Sequence, residues 1–114
     1  MFTLQLSPTY FVEVTLRVPI DAGKVATATF DAELRRLSQS EHDALMERAR
    51  RDQLSDSEVA RMLMVGWRKV RGADSAELPF SPDALGQLLQ VAGAGTAICA
   101  AYLGSVQQAA TKNS

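Results

Sequence analysis

The chain has 114 residues, 46% hydrophobic and 22% charged, with a formal net charge of -1 at pH 7. That length carries one domain with a single modest core, and the near-neutral balance excludes any global pull toward nucleic acid or an anionic membrane. One cysteine, Cys99, excludes an internal disulfide and makes a reducing cytosol the expected setting.

The opening stretch, MFTLQLSPTYF, has no basic leader, and no run approaches the roughly 18 apolar residues that would span a bilayer, so neither export nor membrane insertion is expected. From Tyr10 to Val18 the even positions are Tyr, Val, Val, Leu and Val, while Glu13, Thr15 and Arg17 fall between them. This is the pattern of a half-buried strand. After the turn-forming PIDAGK, the alternation resumes with Ala26, Ala28, Phe30, Ala32 and Leu34. The two segments are expected to pair as an antiparallel hairpin over residues 10–36. A lone hairpin is marginal in water, so helices or another subunit must cover its apolar face.

The remainder, residues 38–110, reads as helical. Ser38 or Ser40 caps a helix that ends on Arg48, Arg50 and Arg51, the charge order the helix dipole favours, with Ala44, Leu45 and Ala49 inward. Ser55, with Glu58 three residues on, starts the strongest helical pattern, in which Val59, Met62, Leu63, Gly66, Trp67 and Val70 recur until Arg71-Gly72 stops it. GADSAELPF is a loop. Ser81-Pro82-Asp83 caps a helix burying Leu85, Leu88 and Leu89, and Gly93-Ala94-Gly95 breaks the chain again. A last helix from about Thr96 to Ala109 carries Ile98, Tyr102 and Val106 on one stripe, with alanines and Gly104 that would admit another helix closely. Residues 111–114 read as a frayed tail. The expected class is α+β: one small domain with an N-terminal antiparallel hairpin and about four helices.

No catalytic, metal or cofactor site is expected. The single histidine, His42, lies between Glu41 and Asp43 in a first helical turn with no further ligand at metal spacing, and reads as solvated. Cys99 has no histidine to activate it, and Gly93 and Gly95 follow a helix without the Lys and Ser/Thr of a phosphate loop. The arginines from Arg35 to Arg71 crowd the middle of the chain, but Glu41, Asp43, Glu47, Asp52, Asp56 and Glu58 dilute them, which favours solvated helix faces over a phosphate-binding face. Trp67, following Gly66, is positioned to pack on the returning Leu78 and Phe80, as a core anchor.

Taken in order, VTLRVP, ATFDAELRRLSQSEHDAL, VGWRKV, LPFSPDALGQLL, TAICAAYLGSV and the ending KNS resemble the tail assembly chaperones of tailed bacteriophages over nearly the whole chain. Where many relatives have an Asp-Gly turn after the tryptophan, this chain has Asp74-Ser75-Ala76-Glu77. The resemblance implies a non-catalytic protein of the host cytoplasm that binds the tape measure protein and keeps it soluble while the tail tube polymerises. It also implies a longer product, made by a one-base ribosomal slip near the end of the reading frame, whose extension recruits tail tube protein. Thr111-Lys112-Asn113 permits such a slip if encoded ACA-AAA-AAC or ACA-AAA-AAU. Met62, Met64, Ile98, Tyr102 and Val106 are candidates for contact with a helical client, because Met and small-residue surfaces adapt to different partners, though each would serve equally in a core. The exposed edges of the hairpin suggest a homo-oligomer. Two other readings remain: a small nucleic-acid-binding regulator using the arginine-bearing helices, and a structural tail component such as a tail terminator.

Overall fold

A computed structural model describes residues 4–113. Strand β1 (Thr9–Pro19) turns through a short 3-10 segment at Asp21–Gly23 into β2 (Val25–Arg35), and the two pair antiparallel from Thr9 opposite Arg35 to Pro19 opposite Val25. The hairpin is where the alternation placed it. Its even positions face a layer of helices, and Val14, Leu16, Phe30, Ala32 and Leu34 are buried there.

Helix α1 (Gln39–Arg51) starts at Ser38, whose hydroxyl accepts from the Glu41 amide while the Glu41 carboxylate accepts from the Ser38 amide. That reciprocal box decides between the two candidate caps. Its inward side uses Leu45, Met46 and Ala49, whereas Ala44 is exposed. Helix α2 (Asp56–Leu63) is capped by Ser55, which accepts from the Glu58 amide.

Here the structure corrects the sequence reading. The helix expected to run through Trp67 to Val70 ends at Leu63, and Met64–Arg68 is a third strand, β3, antiparallel to β2 in a sheet of order β1-β2-β3. Two facts favour the strand. Gly66 inside a helix would cost about 1 kcal/mol relative to Ala, and Val65 also favours extended backbone. The outward backbone groups of Asp31 and Glu33 on β2, moreover, need partners, which Arg68 and Gly66 supply. A bulge places Val65 as an extra residue between the pairs Leu34–Met64 and Glu33–Gly66.

The segment after β3 is tighter than an open loop. The Gly72 amide donates to the Ala76 carbonyl, and the Leu78 amide donates to the Val70 carbonyl, so Arg71 and Glu77 pair across a small turn. Helix α3 (Pro82–Leu89) begins at Ser81, whose hydroxyl accepts from the Ala84 amide, and buries Ala84 and Leu85 with Leu88 and Leu89 half-buried. Helix α4 (Ala94–Asn113) starts inside the expected Gly93–Gly95 break and runs past Ala109, so residues 111–113 are helical rather than a frayed tail; Ser114 lies outside the described residues.

Helix α4 packs along β1 and against α2, and α3 touches its start. Gly95 makes the second contact possible. A Cβ there would sit 2.7 Å from the Ser57 amide nitrogen and 2.9 Å from its Cα, so only glycine lets the two helices meet this closely. Leu34, Leu63, Ile98 and Val14 are the largest fully enclosed side chains and mark the centre of the core.

The hairpin is longer than the body that supports it. Eleven-residue strands span about 37 Å, but β3 pairs only with residues 31–34 of β2. Residues 16–29 therefore extend past β3, and beyond the buried Leu16 the hairpin also leaves the helix layer, as an arm. The radius of gyration of 15.3 Å, with principal extents of 47 × 34 × 28 Å, exceeds the roughly 13 Å of a compact chain of this length.

Candidate interaction surface

Trp67 anchors the strand and the segment that returns over it. Its indole N–H donates to the Leu78 carbonyl at 2.8 Å, and its ring meets the edge of Phe80 at a centroid distance of 5.1 Å. The anchor residues Gly66, Trp67, Leu78 and Phe80 are thus brought together, though from a strand rather than a helix end. Gly66 sits directly across from Glu33, and a Cβ there would collide with the Glu33 carboxylate. The spacing that placed these residues in contact was legible; the backbone carrying Trp67 was not.

The candidate client contacts separate. Met64, Ile98 and Tyr102 are 4%, 0% and 2% exposed, so the expectation that they face a partner is corrected: their side chains are consumed by the core. Met62 and Val106 are half-buried at its margin.

His42 is likewise not simply solvated. Its Nδ1 shares a 2.6 Å hydrogen bond with the Tyr102 hydroxyl, and the two rings lie 5.6 Å apart. Burial, with Tyr10 nearby, pushes the Tyr102 phenol up to about 12. A phenol that stays protonated can donate or accept in this bond, according to which ring nitrogen of His42 carries the hydrogen. The Tyr10 hydroxyl and Ser105 Oγ share a further bond of 2.9 Å. These groups line a hollow of about 300 Å³ with Arg36, Leu37 and Val106. They tie α1 and β1 to α4. Cys99 is half-buried, its Sγ donating to the Asp56 carbonyl at 3.3 Å, and burial together with the Asp56 charge pushes the thiol up to about 11. Among the described residues no cluster of three or more His, Cys, Asp or Glu could hold a metal ion, and no single helix is long and apolar enough to cross a membrane.

The arginines are mostly engaged with their own chain. Arg48 and Arg51 pair with Asp52 at 3.6 and 3.1 Å, and Arg50 pairs with Glu47. The Arg35 and Arg36 Nε groups donate to the Met62 and Ser7 carbonyls. Helix α2, the second of the two arginine-bearing helices, spends Val59, Ala60 and Leu63 on the core.

The sheet face away from the helices carries one built feature. Arg68 lies over the Phe11 ring, 3.8 Å from its centroid, and its Nε donates to Asp31 at 2.9 Å, while the Lys69 ammonium reaches the same carboxylate at 3.2 Å. Asp31 is 8% exposed, and the Arg68 hydrogen bond, reinforced by Lys69, holds its carboxyl below the usual range against the opposing effect of burial. This cluster pins the β2–β3 pairing.

Open apolar surface remains at Leu4 and Leu6, at Leu103 on α4, on the arm and along the outer edge of β1. Toward the arm's tip, Ile20 and Val25 are 53% and 55% exposed, Ala26 and Ala28 are exposed, and Val18 is half-covered. The strand alternation sets Val18, Ala26 and Ala28 on the helix side of the sheet, beyond the last helix that could cover them. Beside the β1 edge a groove of about 570 Å³ runs between Glu13, Thr15 and Arg17 and the small side chains Ala97, Ala100 and Ala101 of α4. Sequence reasoning identified the hairpin but not the arm, because its exposure depends on β3 stopping at residue 31 of β2.

Compared with known protein families, curated proteins and solved structures, the chain matches none.

Proposed function

We propose that this chain is a non-catalytic phage or prophage tail assembly chaperone that binds the tape measure protein and keeps it soluble during tail assembly. The observation that carries the reading is the arm: an apolar strip of Val18, Ile20, Ala26 and Ala28 held in water, projecting from a core that is complete without it. Large exposed apolar surfaces on a small protein mark binding sites. A long helical client, itself carrying an apolar stripe, would lay that stripe on the strip, where packing makes weak demands on client sequence. The client's identity rests on the resemblance of the ordered motifs from VTLRVP to KNS to those of tail assembly chaperones. The nucleic-acid reading is less well supported, because the arginines that would meet phosphate already pair with carboxylates or backbone carbonyls.

Co-expression with the tape measure protein of the same genome tests it. A soluble, co-purifying complex is expected, and Ala26→Asp with Ala28→Asp, both exposed, should abolish it while leaving the fold intact by circular dichroism. A tape measure protein equally soluble alone, with no binding, would sink the proposal. Salt-sensitive micromolar binding to duplex DNA would instead support the regulator, and recovery of the chain in purified particles would support a tail terminator. Recruitment of tail tube protein requires the slip heptamer over Thr111–Asn113 and an overlapping open frame, both readable from the gene.

A further inference from the structure

We propose that a second copy of this chain docks on the outer edge of β1 about a two-fold axis through Thr15, joining the two sheets into one six-stranded antiparallel sheet. The inference does not depend on the identity of the client.

The backbone direction comes first. At the base and tip of the hairpin the Arg36 amide donates to the Pro8 carbonyl and the Ile20 amide to the Lys24 carbonyl, each at 2.9 Å. The even positions of β1 therefore point their backbone groups at β2. In an antiparallel ladder the odd positions must point the other way, so Thr9, Phe11, Glu13, Thr15 and Arg17 present N–H and C=O groups at the outer edge. The sheet order leaves β1 with no strand beyond it among the described residues. Edges of this length are normally blunted by lysine, proline or a bulge; here no lysine intervenes and the first proline inside the strand is Pro19, at its end.

Charge then selects the register. A two-fold axis through Thr15 sets Glu13 of each copy opposite Arg17 of the other and Thr15 opposite Thr15. Centring on Glu13 or Arg17 would oppose like charges, and centring on Val14 or Leu16 would leave both charges without a counter-charge directly across. Opposite charges directly across a strand pair are favourable, and like charges unfavourable. On the helix side the same axis brings Val14 beside Leu16, Val12 beside Val18 and Tyr10 beside Ile20 of the other copy. Val18 and Ile20, which the helices leave partly or wholly open, thereby acquire apolar neighbours.

The helix layer leaves room for this. Tyr10 meets Ser105, while Leu16 and Arg17 lie near Gly93 and Thr96, so α4 runs antiparallel to β1. Its flank above the groove consists of Ala97, Ala100 and Ala101, and Gly104 has nothing within 4 Å of a Cβ position. Small side chains on both copies let the two α4 helices approach as the strands join. The tip of β2, from Val25 to Thr29, stays open for a client.

Sedimentation equilibrium with charge exchange tests the register. The parent chain should dimerise in the micromolar range. Glu13→Arg alone and Arg17→Glu alone should each weaken the dimer roughly tenfold or more, because each substitution puts two like-charged pairs across the axis. The double variant should recover parental affinity. Both positions lie on the open sheet face, and circular dichroism checks that each variant folds. A Thr15→Cys variant in a Cys99→Ser background should form a disulfide-linked dimer on mild oxidation, since a hydrogen-bonded antiparallel pair holds its Cα atoms about 5.5 Å apart, within disulfide reach. A chain that stays monomeric at high micromolar concentration overturns the proposal. So does a dimer indifferent to Glu13→Arg, or single variants that the double exchange fails to rescue.

Discussion

Replacing Trp67 by alanine removes three things at once. The indole N–H bond to the Leu78 carbonyl is worth about 1 kcal/mol net. The edge-on contact with Phe80 adds about 1 kcal/mol beyond its buried area. The lost apolar contact with the rest of the core brings the total to about 3–5 kcal/mol, nearer the lower figure because the side chain is only half-buried. Trp67→Phe keeps a ring against Phe80 but leaves the Leu78 carbonyl unpaired, so it should cost about 1–2 kcal/mol. Urea unfolding followed by far-ultraviolet circular dichroism measures both without using tryptophan fluorescence, which the substitutions abolish. Against a total stability of order 5–15 kcal/mol, the alanine variant should unfold at clearly lower urea. A loss below about 1 kcal/mol for Trp67→Ala would show that neither the hydrogen bond nor the ring contact anchors β3, and equal losses for the two variants would show that the ring contact adds nothing to the hydrogen bond.

Glycine substitutions should divide by position: Gly95→Ala forces a methyl group onto the Ser57 backbone and should cost about 1–3 kcal/mol, whereas Gly104→Ala enters open space in a helix and should be neutral or stabilising by up to about 1 kcal/mol, both read from thermal melts. Because the Asp31 carboxyl is held below its usual value of 3.8 in the folded chain, its ionised form stabilises the fold above that pH, and the contribution is lost as pH falls through the folded value. Asp31→Asn should therefore lower stability at neutral pH and flatten the acid limb of a stability-against-pH curve; an unchanged acid limb would show that the Arg68–Lys69 cluster is idle. Cys99, with its thiol pushed up to about 11, should alkylate slowly at pH 8 in the native chain and rapidly in urea, and equal rates would contradict its enclosure.

The hairpin was legible because a period of two survives over both strands with few exceptions, and the helix starts were legible because Ser38, Ser55 and Ser81 each stand three residues before the amide they cap. Strand β3 was not. Met62, Leu63, Gly66, Trp67 and Val70 satisfy a helical period, and the competing partner, residues 31–34, lies some thirty positions earlier in the chain. Only the tertiary need of β2 for a neighbour resolves the ambiguity. The same non-locality hid the His42–Tyr102 bond, whose members are 60 residues apart. It also misassigned Met64, Ile98 and Tyr102, because an apolar stripe looks alike whether it meets its own sheet or a partner. The arm and the β1 edge could be located only once the extent of β3 and the direction of the backbone groups were known.

Hydrogen exchange on the chain alone and in complex with the tape measure protein, at matched chain concentration, tests the binding claim most directly. In the free chain the outward amides of Val25, Thr27 and Thr29 have no β3 residue opposite them and should exchange fast. The account predicts that the complex slows exchange across residues 16–29 while the centre of the core, around Leu34, Leu63 and Ile98, is unchanged. Protection confined to the arginine-bearing helix α1, or none on the arm in a complex that demonstrably forms, would contradict it.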